Sequence, residues 1–294
     1  MPTSHRTIEP ISITDPDDPR LDDVRNLNSS DSRPDSRDGK GLVIAEGNLV
    51  VPRLFASPYP VRTVVGFEGK VAEFLDATAS DPVTQHQWCR DNPPRVYQVT
   101  RDVLKQVVGF DMHRGLVAAA DRIAERTVEG VLDGLPELDD SQPDIIAVLE
   151  GVGDHENLGA LFRNAAGLGV RAVLFGAATA DPLYRRSVRV SMGHVLRIPH
   201  AKFPGTTTTW QRDLAWLQDR GYSVIAMTPN TETTLQEAIS QAGRKVAIMV
   251  GAEGPGLTEH AMRAADSRAK IPMSEGTDSL NVATSAAIGF YAAQ

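Results

Sequence analysis

From Asp144 to the end of the chain, short apolar runs alternate with amphipathic stretches, and this alternation constrains the fold more than any other feature. Runs at 145–150, 171–175, 195–198, 222–227, 246–250 and 268–272 read as strands. Stretches at 157–167, 208–219, 234–241, 257–265 and 281–293 read as helices. Strands separated by helices imply a mainly parallel sheet covered on both faces, an α/β fold. A smaller α/β unit precedes it over 41–125. There "VRTVVG" and "RVYQVT" read as strands, "KVAEFLDAT" and "RDVLKQVVG" as helices, and "GLVAAADRI" as a further strand. Residues 126–143, acidic and containing Pro136 and Pro143, read as a linker. Residues 1–40, rich in Asp, Ser, Pro and Arg, read as a disordered acidic tail, because so few apolar groups cannot offset chain entropy.

Composition narrows the function classes. Hydrophobic residues make up 41% of the 294, enough for a substantial core, while aromatics are only 5%, so base-stacking platforms are scarce. No apolar run reaches the ~18 residues of a membrane span, and the first residues lack the apolar core of a secretory signal. The single cysteine, Cys89, excludes an internal disulfide and a cysteine-based zinc site. These features point to a cytoplasmic protein. The seven histidines show no metal-ligand spacing, so no metal is expected.

The net charge of −8 argues against non-specific nucleic-acid binding, but its distribution is uneven: residues 142–294 balance to zero. Within them, Arg185, Arg186, Arg189 and Arg197 lie in "YRRSVRVSMGHVLR" without an intervening acid. Such a cluster meets phosphates, or is simply a solvated face.

Three stretches carry candidate chemistry. In "HENLGALFRNAAGLG" (155–169), Asn157 stands where a helix N-cap belongs, and Gly167 to Gly169 end the helix. Leu158, Leu161, Ala165 and Leu168 form its apolar stripe. Arg163 faces the other way, where it is either an ordinary surface arginine or a functional one. In "IMVGAEGPGL" (248–257), a strand runs directly into a glycine-rich loop, where backbone can approach a ligand closely. The spacing is neither G-x-G-x-x-G nor a P-loop, and Glu253 inside the loop would repel a phosphate. A phosphate-free ligand carrying positive charge suits it better. In "IPMSEGTDSLNVATSAAIGFYAA" (271–293), the polar turn Asp278-Ser279-Leu280-Asn281 opens a helix of small residues, which permits close packing against backbone or cofactor.

Together and in this order, the three stretches resemble the three motifs of the SpoU/TrmH family of RNA ribose 2′-O-methyltransferases, within the SPOUT superfamily. Asn157, Gly159 and Arg163 match the first motif; Gly251, Glu253, Gly254 and Gly256 the second; Ser279, Leu280, Asn281 and Val282 the third. "SMGHVLRIP" is similar to the intervening family segment. Asn164 departs from the Ser or Thr usual after the arginine. Residues 41–120 resemble the substrate-binding domain, similar to some ribosomal proteins, that often precedes the catalytic one.

The resemblance implies a C-terminal α/β domain with a deep trefoil knot over 144–294, binding S-adenosylmethionine in bent form. It implies cofactor contacts from Gly251, Gly256, Ile271 and Leu280, with Thr228 as a further candidate. Arg163 is implied as the essential group, either the base for the 2′-hydroxyl or a clamp on a substrate phosphate; a free guanidinium is a poor base. Asn157, Glu253, Ser279 and Asn281 are implied to position the ribose and Arg163, and Arg185, Arg186, Arg189 and Arg197 to meet the RNA backbone. A homodimer is also implied. Ribosomal RNA is the substrate the two-domain layout favours, with tRNA the alternative inside the class and a non-catalytic RNA-binding protein the alternative outside it. A dinucleotide-dependent oxidoreductase lacks its fingerprint loop here, and a G-x-S-x-G hydrolase elbow is absent.

Overall fold

The computed structural model describes residues 8–28, 40–78, 80–277 and 279–294. The chain forms two compact units. The first takes in Met1–Ala124 together with Leu183–Arg197, and the second takes in Glu125–Pro182 and Ile198–Gln294.

The first unit is built on a five-stranded mixed sheet of β1 (Ile11–Ser12), β2 (Leu42–Glu46), β3 (Val61–Gly66), β4 (Arg95–Gln98) and β5 (Leu116–Asp121), in the order β1-β4-β3-β5-β2. β4 pairs parallel with β1 and β3, while β5 pairs antiparallel with β3 and β2. The Arg101–Val108 helix is capped by the Thr100 hydroxyl and stopped by Gly109 in the left-handed region (φ 86°), as its sequence signals require. It lays Val103, Leu104, Val107 and Val108 onto Leu42, Ile44, Val65 and Tyr97.

The reading of residues 1–40 as a disordered tail is corrected for 8–28. Pro19–Val24 is a 3-10 helix capped by Asp18, and Leu21, Val24 and Leu27 are fully buried in the same core. The N–H groups of Asn26 and Leu27 donate to the carbonyls of Val107 and Val108 at 2.8 and 3.0 Å. Average composition hid three apolar residues at helical spacing, which suffice once a partner face exists. Residues 1–7 and 29–39 of the expected tail lie outside the described residues.

The expected strand at 195–198 is also corrected. Arg185–Val190 is a helix, Gly193 turns the chain in the left-handed region (φ 81°), and His194–Leu196 is a 3-10 turn. Tertiary packing overrides the β-branched pattern. Val188, Val195 and Leu196 are buried, and a Cβ on Gly193 would sit 3.1 Å from Val50 Cγ1.

The second unit is a six-stranded, wholly parallel sheet: β6 (Asp144–Leu149), β7 (Ala172–Phe175), β8 (His200–Lys202), β9 (Ser223–Met227), β10 (Lys245–Val250) and β11 (Ser267–Ala269), in the order β11-β9-β10-β6-β7-β8. β6, β7 and β8 advance towards one edge. The chain then crosses to β9, and β10 inserts between β9 and β6. That reversal opens a crevice beyond the strand C-termini, the usual ligand position in open parallel sheets. One face of the sheet packs on Trp210, Leu214, Leu217, Ala261 and Met262. On the other side, the Val282–Ala292 helix packs on β10 and on the His155–Gly167 helix. The expected 126–143 linker is corrected in part. Val128–Asp133 is a helix capped by Thr127, and Val128, Val131 and Leu132 belong to the second unit's core.

Candidate active site

Three loops meet beyond the C-terminal ends of β9, β10 and β11, around a cavity of about 500 Å³. Thr228 follows β9, and its N–H donates to the Ala269 carbonyl of β11 at 2.9 Å. The glycine loop follows β10. Its first residue is glycine by necessity, because a Cβ on Gly251 would lie 2.2 Å from the carbonyl carbon of Gly256. Gly254 and Gly256 both occupy the left-handed region (φ 86° and 72°), and the Gly256 N–H closes the loop on the Ala252 carbonyl at 3.0 Å. Ile271 comes from the segment after β11, and Ser279, Leu280 and Asn281 from the approach to the last helix. Asp278, in the turn expected there, lies outside the described residues.

Asn281 joins the three stretches. Its Oδ1 accepts from the N–H groups of Ala283 (2.9 Å) and Thr284 (3.2 Å), so it caps the Val282–Ala292 helix. Its amide donates to Asn157 Oδ1 at 2.8 Å and to Glu253 Oε1 at 3.0 Å. Asn157 is therefore not an N-cap, as its position in the sequence suggested. Asp154 caps the His155–Gly167 helix, accepting from the N–H groups of Glu156 and Asn157 at 2.8 Å each. That leaves the Asn157 side chain available to the site. Asn164 adds a second tie between the two helices, donating to the Ala283 carbonyl at 2.9 Å.

Arg163 lies on the exposed face of the same helix and has no hydrogen-bond or ion-pair partner among the described residues. Beneath it, Phe162 packs edge-on to His200 with centroids 5.6 Å apart. Burial holds the His200 imidazole below its ordinary pKa, partly opposed by its hydrogen bond to the Ile198 carbonyl.

The cavity also tests whether S-adenosylmethionine fits. Among the described residues its lining contains no lysine or arginine and does contain Glu253, a poor setting for a phosphate. Met227, Val250, Ile271 and Leu280 offer apolar surface, Gly251 and Gly256 exposed backbone, and Glu253 a negative charge. These are the contacts a purine nucleoside with a sulfonium and an amine requires, and the volume falls within the ~300–1,000 Å³ of small-molecule sites. Met227, Pro229 and Met273 also line the cavity and are not singled out by the sequence, and Ser285 of the small-residue helix lines it too. Met227 and Pro229 flank Thr228, so the loop after each strand was the signal that would have found them.

The arginine cluster belongs to the first unit. Arg185 pairs with the buried Glu46 at 2.6 Å and lies over the Phe110 ring at 5.0 Å. Arg186 and Arg197 are exposed and Arg189 is half-buried, so the four do not form one equally available surface.

The SpoU rRNA Methylase family matches the chain over residues 144–291. The chain is similar to an uncharacterized tRNA/rRNA methyltransferase of Mycobacterium tuberculosis, 48% identical over 281 residues, covering 95% of this chain and 90% of that one. It is similar to the 23S rRNA (guanosine-2′-O-)-methyltransferase RlmB of Ralstonia nicotianae, 29% identical over 200 residues, covering 68% of this chain and 76% of that one. Among solved structures, an rRNA methyltransferase from Sinorhizobium meliloti shares the fold with a TM-score of 0.72 at 24% identity, over 96% of both chains. That enzyme has also been solved with AdoMet bound.

Proposed function

The chain belongs to the SpoU rRNA methylase family, and from that premise we propose that it methylates a ribose 2′-hydroxyl of RNA with S-adenosylmethionine as donor, ribosomal RNA being the substrate. The observation that carries this reading is the Asn281 amide, which ties Asn157 of the first motif and Glu253 of the second to the third beside a cavity whose described lining holds a carboxylate and no lysine or arginine. Relatives named as 23S rRNA 2′-O-methyltransferases support the substrate class.

Gly251, Gly256, Thr228, Ile271 and Leu280 hold the cofactor, which when bound supplies an electrophilic methyl on a sulfonium. Asn281, held by two acceptors, fixes Asn157 and Glu253 relative to each other, and these with Ser279 orient the target ribose. The 2′-hydroxyl must lose its proton as its oxygen becomes a nucleophile, and solvent water takes that proton. Arg163, a guanidinium with no ion-pair partner among the described residues, grips the RNA phosphate next to that ribose and sets the hydroxyl in line. The first unit is the RNA-binding domain. Within its arginine cluster, the exposed Arg186 and Arg197 meet the RNA backbone.

We extend the proposal to the finer features of the family: a deep trefoil knot around β10 and the glycine loop, a cytoplasmic location and a homodimer. The dimer rests on family likeness alone. Ala283, Ala286 and Gly289, three of the small residues of the last helix, are buried within the chain, where a Cβ on Gly289 would lie 2.8 Å from Met227 Sδ.

The test is transfer of labelled methyl from S-adenosylmethionine to total RNA from a host lacking the gene, with 2′-O-methylation mapped at nucleotide resolution. One new methylated ribose is expected, and Arg163→Ala should lower the rate by at least ~100-fold with an unchanged melting temperature. No transfer to free RNA or to ribosomal precursor particles would refute the reading. Light scattering should return twice the chain mass.

A further inference from the structure

Glu150 is a buried carboxylate, 5% exposed, with no cationic partner among the described residues. It immediately follows β6. Its Oε1 accepts from Trp210 Nε1 at 2.9 Å, the Thr258 hydroxyl at 3.0 Å and the Gln211 amide at 3.3 Å. Its Oε2 accepts from the Thr258 backbone N–H at 2.8 Å. Its own N–H donates to the Val250 carbonyl at 3.0 Å.

Val250 and Thr258 are the two feet of the glycine loop. One residue therefore grips the loop where it leaves β10 and where it enters the Glu259–Ala264 helix. The polarity at Thr258 is consistent. Its hydroxyl gives its proton to the carboxylate and accepts from the Ala261 N–H at 3.2 Å, so Glu150 also orients the helix cap. Four donors converge on the two carboxylate oxygens, an arrangement an amide cannot satisfy, because its NH2 would face a donor. A buried charge without a counter-ion is costly, and neutral dipoles in fixed positions are what make it tolerable.

We propose that Glu150 is a positioning residue for the cofactor cavity: its backbone N–H on Val250 and its carboxylate on Thr258 together fix the span between the feet of the 251–257 loop, and with it the wall formed by Gly251, Glu253 and Gly256. The proposal rests on the cofactor reading above.

The test uses the full chain as wild type, Glu150→Gln, Thr258→Val and Trp210→Phe. S-adenosylmethionine binding is measured by calorimetry, and amide hydrogen exchange is followed in the cofactor-free protein. Trp210→Phe removes one donor from Oε1 and opens the same core, but leaves both feet of the loop held. Glu150→Gln should weaken cofactor binding by about tenfold or more and speed exchange over 251–258. Trp210→Phe should lose at least as much thermal stability while keeping binding within about twofold and the loop protected. If Glu150→Gln fails to fold, Thr258→Val carries the same expectation at about threefold. Equal binding and equal loop protection in the Glu150, Thr258 and Trp210 variants would overturn the proposal. A wild type that binds no S-adenosylmethionine sinks the cofactor reading instead, and loop exchange alone then decides whether Glu150 holds the loop.

Discussion

The parallel sheet of the second unit has two ends, and they treat polar groups in opposite ways. At the strand N-termini, Asp144 accepts from Arg171 at 2.7 Å and from the Tyr222 hydroxyl at 2.8 Å. Arg220 pairs with Asp133 at 2.8 Å and Arg244 with Asp140 at 3.3 Å, while the Lys245 ammonium donates to the Arg220 carbonyl and lies 5.3 Å over the Tyr222 ring. The cavity there, about 410 Å³, is lined by four cations, each engaged by the protein itself. At the C-termini, Glu253 and Asn157 are held but not used up. Asn281 positions Glu253 and Asn157, whereas Arg163 has no partner among the described residues. Counting charges does not distinguish the ends. What distinguishes them is whether each group's hydrogen-bonding capacity is spent inside the chain, and the end with capacity left over is the one that can act on a substrate.

Four substitutions or conditions probe this contrast. The largest effect belongs to Gly251→Ala. The new methyl meets Gly256 backbone at 2.2 Å, so the loop must open, and cofactor affinity by calorimetry should fall by more than about 100-fold. Retained affinity would mean that the cavity beside the loop is not the cofactor site. Next is Asp144→Ala, which takes a buried acceptor from the half-buried Arg171 guanidinium and from the Tyr222 hydroxyl and should cost about 3 kcal/mol in urea unfolding, with cofactor affinity of the folded protein unchanged. A folded Asp144→Ala protein that no longer binds the cofactor would couple the two ends and break the comparison. Asn164→Ala removes a single helix-to-helix hydrogen bond. It should cost about 1 kcal/mol of stability and lower kcat with little change in KM, because it loosens Arg163's helix against the third motif.

The smallest effect is a pH dependence. The His200 pKa is lowered in the folded state relative to 6.5, so the folded chain binds fewer protons than the unfolded one in the window below that value. Its stabilising contribution is complete above about pH 6.5 and is lost as pH falls. Melting temperature followed downward from neutral pH should decline, and His200→Gln should flatten that decline. The opposite sign holds for Tyr222, whose pKa is raised above its ordinary value of 10.0 by burial, then by its bond to Asp144. Its contribution is present below about pH 10 and lost above it.

Much of the second unit was legible as sequence because buried parallel strands read as apolar runs and helix boundaries carry caps and glycines. Thr234 with Glu237 forms a full capping box at the Leu235–Ala242 helix, for example. Where the reading failed, packing between distant segments outweighed local pattern. Leu21, Val24 and Leu27 sit in an acidic, serine-rich stretch, yet find the face of the Arg101–Val108 helix. The segment Leu183–Arg197 lies between β7 and β8 in the sequence but packs with the first unit, which is why its β-branched residues form helical turns and why Arg185 meets Glu46.

The amino-acid sequence alone determined the α/β class, the family and the motif residues that mark it, because strand and helix periodicity, glycine loops and motif spacing are local properties. Only the tertiary structure decided how those residues meet. That Asp154 rather than Asn157 caps the first helix, that Asn281 binds Asn157 and Glu253 together, and that Glu150 holds both feet of the glycine loop all depend on hydrogen bonds between segments far apart in the chain. No local pattern specifies which donor will face which acceptor once the chain has folded.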